Sequence, residues 1–511
     1  MSMPYFGREF TFYQPDGTPL RVTGFGNQDN AVFETLDGYT VVRNAETGFY
    51  EYAMLNKRGD LVPTGYQAKK TPPKKLGLKR HLRSKRREQE TPEVTMAAAE
   101  PYQEKPRWQM RRMERRAAAQ ASAASVEVAA AAVAPLERQK IGNFVGLCLL
   151  IDFPDVPGTI PREEVEAYCN HPGYNGFGNN GSVLDYFLEN SNGLLSYTSI
   201  VAPYYTALHE RSYYTDPTQI YPRRAVELLR EALDSLKLQD IDLSSLSVDN
   251  QQCVYATNVF YASGNTNGFR LGLYPHTGVL SPRHELLPGQ LIADYQFTDM
   301  GSELTLGTFC HENGHLICDF PDLYDLTPDG GRFTHGVGKF CLMGYGGYID
   351  EKNPAQIGAY LKYRAGWANS VTEITTGLHS SVRAGVNDFY IFKKDEQEYF
   401  IIENRQKVGR DRALPGGGLA IWHVDESGSN NFQQMTPEQH YECSLEQADG
   451  LFDLERAGDA GQAKDLFHGG GTTSFGDATT PDSRWWDGSP SGLNISNISN
   501  NGPIMSFFAE V

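Results

Sequence analysis

Cys310-His311-Glu312-Asn313-Gly314-His315 is the stretch that decides how this chain is read. His311 and His315 stand four positions apart. On a helix of 3.6 residues per turn, that spacing puts both imidazoles on one face. Two neutral ring nitrogens so placed reach one metal ion at about 2.0–2.1 Å. Glu312 falls on the adjoining face, where it can take a proton from a water whose pKa zinc lowers to about 7. H-E-x-x-H on a helix is the pattern of a zinc-dependent peptidase. The bland alternative is a helix carrying two surface histidines, and the flanking sequence argues against it.

That flank is specific. A carboxylate-rich turn, Asp319-Phe320-Pro321-Asp322-Leu323-Tyr324-Asp325, follows the helix, and Phe340-Cys341-Leu342-Met343-Gly344-Tyr345-Gly346-Gly347 comes after it. A tight Met-containing turn after an H-E-x-x-H helix is how metzincin-type peptidases floor the metal site. Met343 is expected beneath the metal rather than on it.

With these segments in view, the chain resembles the immune inhibitor A family of secreted bacterial metallopeptidases (peptidase family M6). The resemblance extends to Asn143 through Asp155, to Val183–Phe187 with Asn190-Ser191-Asn192-Gly193, to Gly272-Leu273-Tyr274-Pro275-His276, and to Glu403–Gln406 with Leu419–His423. It spans roughly Lys140 to Val511. It implies a zincin-like catalytic domain, zinc as cofactor, and His311, His315 and an aspartate as ligands. One departure stands out. The family usually carries a glycine three positions after the second histidine and the aspartate ten positions after the first. Here Cys318 stands in the glycine's place, and one inserted residue puts Asp322 eleven positions on. Asp322 keeps the P-D-L-Y-D context and is the expected third ligand, with Asp319 and Asp325 as alternatives and a Cys318 thiolate as a weaker one. Tyr345, two residues after Met343, is either an oxyanion donor or a structural tyrosine; a donor aimed at developing charge is worth about 2.7–4 kcal/mol.

Composition fits a multidomain enzyme. The chain has 511 residues, 40% hydrophobic, with a net charge of −17, which disfavours nucleic acid as the main partner. Between Tyr66 and Arg116, sixteen Lys/Arg face six Glu, a balance of +10 that leaves −27 on the remainder. A solvated, cleavable linker is the preferred reading of that stretch, and Arg83-Ser84-Lys85-Arg86-Arg87 looks like a processing site. Seven cysteines without a C-x-x-C pair imply no disulfide framework. No charged and apolar leader is visible at Met1, while the family resemblance implies export, so secretion is the expectation. Phe144 to Phe153, the most apolar run, is too short to span a bilayer.

Four sections are expected. Residues 1–66 alternate short apolar runs with Asp-Gly and Asn-rich turns, a small β-rich module in the position of a propeptide. Asp29 or Asp37 could cap a metal from it, although each reads first as a turn former. Residues 67–139 are a basic, then alanine-rich linker, in which Ala117 to Ala134 has little to bury. Residues 140–370 form the α/β catalytic domain, in which Ile292–Phe297 is either the edge strand that pairs with substrate or an internal strand. Residues 371–511 form a β-sandwich-like domain. Its Asp449-Gly450, Gly458–Gly461 and Asp465 clusters could bind calcium, although loop aspartates are usually turn formers. His423 reads as a core histidine.

The expected activity is that of a monomeric zinc metalloendopeptidase acting on proteins or peptides, with Glu312 as base. A zinc amidase for small substrates and a binding protein with a dead site are the alternatives.

Overall fold

The computed structural model describes residues 4–84, 105–124, 139–265, 268–326, 328–329, 332–431 and 434–511. Lys85–Arg87 of the basic motif lie outside them. The chain is a mixed α/β and β multi-sheet protein of several domains, and none of its sheets closes into a barrel among these residues.

The N-terminal module is a six-stranded meander, β1 (Tyr5–Tyr13), β2 (Pro19–Gly26), β3 (Ala31–Thr35), β4 (Thr40–Arg43), β5 (Tyr50–Leu55) and β6 (Leu61–Gln67), each strand antiparallel to the next. Its alternating pattern puts Phe12, Leu20, Val22, Phe33, Val41 and Tyr52 on one buried face. The module extends past residue 66. Arg83 folds back so that its guanidinium meets the buried Glu34 carboxylate at 2.5 Å and lies over Phe333, outside the module.

The section expected to be an unpacked linker contributes a helix, α1 (Arg107–Ala124), whose Trp108 is buried against the α/β region. A tryptophan and several arginines with partners outweigh the low apolar content of the run.

A five-stranded sheet in the order β10-β11-β9-β7-β8 follows. Its strands are β7 (Gly142–Asp152), β8 (Leu195–Thr206), β9 (Thr257–Tyr261), β10 (His276–Leu287) and β11 (Gln290–Asp299). β11, β9, β7 and β8 run parallel to one another, and β10 closes one edge antiparallel to β11. Ile292–Phe297 therefore belongs to an internal strand. The reading of it as the edge is corrected, and the edge is its hairpin partner β10. β7 is buried on both faces, as parallel strands are. Cys148 and Leu150 point to one core, Leu147, Leu149 and Ile151 to the other. α2 (Arg162–Asn170), α3 (Val183–Asn190) and α6 (Leu306–Cys318) cover the first side; the short α4 (Arg211–Tyr214) and α5 (Arg223–Leu236) cover the second. α5 buries Ala225, Leu228, Leu229, Ala232, Leu233 and Leu236, a stripe at helical spacing. Truncating one such leucine to alanine costs about 2–5 kcal/mol.

Beyond α6, a two-residue pair, β12 (Pro328–Asp329) and β13 (Arg332–Phe333), precedes the Met-containing turn, and α7 (Ala359–Arg364) leads to the C-terminal β region. There β14 (Ser370–Glu373), β15 (Leu378–His379), β16 (Val382–Arg383), β17 (Asp388–Lys393), β18 (Glu398–Arg405), β19 (Gly418–Asp425), β20 (Cys443–Leu445), β21 (Phe475–Gly476), β22 (Asn494–Ser496), β23 (Ile504–Met505) and β24 (Phe508–Glu510) build two main sheets and one strand pair. The main sheets are ordered β14-β17-β18-β19-β20 and β15-β24-β22-β21, and β16 pairs with β23. Period-two patterning sorts the larger sheet. Phe400, Ile402, Leu419 and Ile421 face the smaller sheet, whereas Tyr399, Ile401, Ala420 and Trp422 join the core that also packs α6. The sandwich-like region thus shares a core with the α/β region. All seven cysteines are buried free thiols. No helix is long and apolar enough to cross a membrane among the described residues.

Candidate metal centre

α6 is held rigidly. Asn313 accepts a hydrogen bond from Tyr197 Oη at 2.7 Å and donates to Asn258 at 3.0 Å, tying the helix to β8 and β9. On the opposite side, Gly314 lies against Met343. A Cβ on Gly314 would stand 2.9 Å from the Met343 sulfur. Met343 is fully buried and packs against this face of the helix.

The helix ends at Asp319, which adopts the left-handed conformation (φ 53°, ψ 32°). This accounts for the inserted residue. Cys318 completes the helix, and the left-handed turn moves one position on to an aspartate, a residue type that tolerates it. Burial would raise the Asp319 carboxyl, but Arg107 and Lys140 outweigh it and hold the group below its usual range. Its oxygens accept from Arg107 Nε at 3.1 Å and Lys140 Nζ at 2.9 Å.

With Asp319 so engaged, the next aspartate turns to the histidines. Asp322 Oδ1 lies 3.2 Å from His311 Nε2 and 3.2 Å from His315 Nε2. The ligand atoms of these three buried residues fall within 4.8 Å of one another, so the group could hold a metal ion. Each ring is oriented through its other nitrogen. His311 Nδ1 donates to Leu342 O at 2.9 Å, and His315 Nδ1 donates to Phe320 O at 2.6 Å. A proton fixed on Nδ1 leaves Nε2 as the free donor pair, which is how metal-ligating histidines are usually prepared. Burial opposes charge on Asp322, yet His315 and His311 hold its carboxyl far below the ordinary range. His315 is raised against its own burial, chiefly by Asp322.

The alternative ligands are placed elsewhere. Asp325 accepts from Tyr441 Oη at 2.8 Å. Burial pushes the Cys318 thiol up, away from the thiolate a metal needs. Asp37 accepts from Thr35 Oγ1 at 2.6 Å in a turn. Asp29 faces Arg270 at 4.0 Å, and the charge of Asp322 also acts on it, so it lies near the His311, His315 and Asp322 group without belonging to it. Asp449, Asp459 and Asp465 form no comparable three-ligand group among the described residues. His423 sits in the core between Glu398 at 3.1 Å and Glu446 at 3.5 Å.

Glu312 is fully buried on α6, and its charge acts on both His315 and Tyr324. Tyr345 is also buried. It packs with His335 and Phe6, its hydroxyl has no hydrogen-bond partner among the described residues, and the charge it senses is Asp325. Tyr324 is the tyrosine whose hydroxyl senses Asp322 and Glu312, a placement the sequence reading missed although it stands two residues from the ligand.

The site is covered from two directions. From the N-terminal module, Asn27 Nδ2 donates to Tyr324 Oη at 2.8 Å, and Phe6 meets His335 and Tyr345 edge-on. Gln28 reaches the edge strand, where its Oε1 accepts from Thr277 N at 2.8 Å and its Nε2 donates to Thr277 O at 3.4 Å. A side-chain amide thereby makes the two bonds that an added strand would make to β10. From α1, Trp108 stacks on the His315 ring, with centroids 4.4 Å apart and planes 20° off parallel. A lone tryptophan in a basic and alanine-rich run was the only sequence signal of this contact.

No family model matches the chain, and no curated protein matches it.

Proposed function

We propose that this chain is a zinc-dependent endopeptidase held in a latent form. One observation carries the reading: His311 and His315 turn their Nε2 atoms on a single Asp322 oxygen, while both Nδ1 atoms are tied to backbone carbonyls. Two neutral imidazoles and a carboxylate are the donor set of a three-ligand catalytic zinc site, which keeps its fourth position for water or substrate. When bound there, zinc would polarise the scissile carbonyl and acidify a water.

The remaining steps belong to the chain. β10 offers its outer edge, with the Thr277 amide and carbonyl available to an extended peptide once Gln28 withdraws. Glu312 takes the proton of the attacking water on its carboxylate and passes it to the leaving amine. Tyr324 or Tyr345 supplies a phenolic donor to the developing oxyanion. Met343 keeps the floor beneath the histidines apolar and closed. The edge strand favours an extended polypeptide substrate over a small amide.

The test is hydrolysis of casein and of a quenched-fluorescence peptide by the chain freed of residues 1–139, comparing wild type with Glu312→Gln at equal zinc content. Cleavage by the wild type alone supports the reading. Equal rates in both, or no cleavage by a zinc-loaded wild type, would refute it.

A further inference from the structure

The two covers of the metal helix differ in how they are attached. The N-terminal module meets the edge strand and the aromatic wall through Gln28, Asn27 and Phe6. α1 instead grips the metal helix itself. Arg107 bonds Asp319 at 3.1 Å and Asp249 at 3.4 Å, and it donates to the backbone carbonyls of Leu316 and Tyr255. Its own amide donates to Asp294 of β11 at 3.0 Å, and its guanidinium lies over the Tyr255 ring. One residue on, Trp108 covers the ring of the metal-ligand residue His315. Further along the helix, Arg112 bonds Glu442 at 2.8 Å and Ser429 at 2.7 Å, and Arg116 donates to Ser427 O at 3.1 Å. α1 therefore spans from the catalytic sheet to the C-terminal β region and passes His315 on the way.

We infer that α1 is a strap that closes the metal site independently of the N-terminal module, with Arg107 as its anchor and Trp108 as its cover. The inference rests on the reading of His311, His315 and Asp322 as the working centre. The character of the attachment supports a releasable part. Met110 and Met113 of α1 are exposed, so among its described side chains the helix is held by one indole and a row of arginines rather than by a continuous apolar face. Arg107 pairs with groups that the rest of the fold leaves clustered as aspartates, so detaching it has a high barrier while the chain is intact. None of these α1 contacts involves the N-terminal module, so its loss alone leaves them in place. Activation therefore needs two events, departure of the module and departure of α1.

The experiment places one specific protease site within residues 88–100 and a second within residues 126–136 of the full chain. The readout is the rate at which diethyl pyrocarbonate modifies His315 in metal-stripped protein, mapped by mass spectrometry, followed by peptidase assay after zinc loading. Cutting the first site and removing the module is expected to leave His315 protected. Cutting both and releasing α1 is expected to raise its modification by about 100-fold, the scale set by a buried Arg–carboxylate anchor. In the uncut chain Trp108→Ala is expected to raise it about threefold to tenfold, and Trp108→Phe to leave it near the wild-type rate. If release of α1 unfolds the remainder, a synthetic peptide of residues 105–124 will not restore protection; the strap requires that it does. Full exposure of His315 after loss of the module alone, or an unchanged rate after loss of α1, overturns the strap. Exposure of His315 without peptidase activity after zinc loading keeps the strap and refutes the enzymatic reading.

Discussion

Replacing Asp319 with glycine pits two effects against each other. The residue sits at φ 53° and ψ 32°, where a non-glycine side chain costs about 1–2 kcal/mol, somewhat less for aspartate. By backbone preference alone, Asp319→Gly would stabilise the protein by up to about 1 kcal/mol. The carboxylate, however, partners Lys140 and Arg107, whose side chains are 5% and 12% exposed. Removing one member of a buried ion cluster costs about 3–5 kcal/mol, because the cations remain buried without it. Asp249 and Asp294 still neutralise Arg107 in part, which places the cost at the lower end. The net expectation is a loss of about 2–4 kcal/mol, or a fall of roughly 5–10 °C in the melting transition of the α/β region. Differential scanning calorimetry at neutral pH reads this directly. Asp319→Asn keeps the turn and some hydrogen bonding, and should fall between wild type and Asp319→Gly. A glycine variant as stable as wild type, or more so, would refute the reasoning, because the turn rather than the ion cluster would then govern residue 319.

Further expectations follow from the same geometry. Asp322→Ala should abolish stoichiometric zinc binding, measured by elemental analysis after dialysis, while Asp325→Ala should leave it intact. Glu312→Gln should bind zinc normally and lower kcat by at least about 100-fold, the least that loss of a general base costs; a smaller loss would assign the base elsewhere. Burial raises Glu455 to about 8, and burial with neighbouring Asp449, Asp453 and Asp459 raises Asp465 to about 7. Both folded values lie above the unfolded ones, so the C-terminal region should lose stability as pH climbs from about 4 to about 8. Glu455→Gln should recover about 1–2 kcal/mol of that at pH 8 and little at pH 4, seen as a pH-dependent difference in urea midpoint. Gln28→Ala, which removes the amide bonded to Thr277, should speed spontaneous detachment of the N-terminal module, seen as faster limited proteolysis after residue 84.

Much of the site was legible because its chemistry is local. His311 and His315 share a face by helical arithmetic, and the Met343 turn follows within one domain's reach. The choice of Asp322 over Asp319 was harder to read. It depends on where the helix ends, and the sequence shows only that Cys318 replaces a glycine. In the structure Lys140 and Arg107, residues more than 170 positions away, claim Asp319, and Asp322 is the aspartate beside the two histidines. The strand pattern of the N-terminal module could be read from its Asp-Gly and Asn-rich turns, and α5 from its leucine spacing. Topology was less visible. Ile292–Phe297 is as apolar as an edge or an internal strand, and only its pairing with β9 as well as β10 decides. The linker was misread for a physical reason. Residues 67–139 are polar enough to look solvated, but Arg107 and Trp108 find buried partners that are distant in sequence. Composition reports average burial and cannot see one arginine among three aspartates.

The central claim is that His311, His315 and Asp322 together hold zinc. Anomalous diffraction at the zinc absorption edge, on crystals of the zinc-loaded full chain, tests it most directly. The account predicts one strong peak about 2.0–2.2 Å from both Nε2 atoms and an Asp322 oxygen. A zinc-replete crystal with no peak there, or with its peak on other residues, would contradict it.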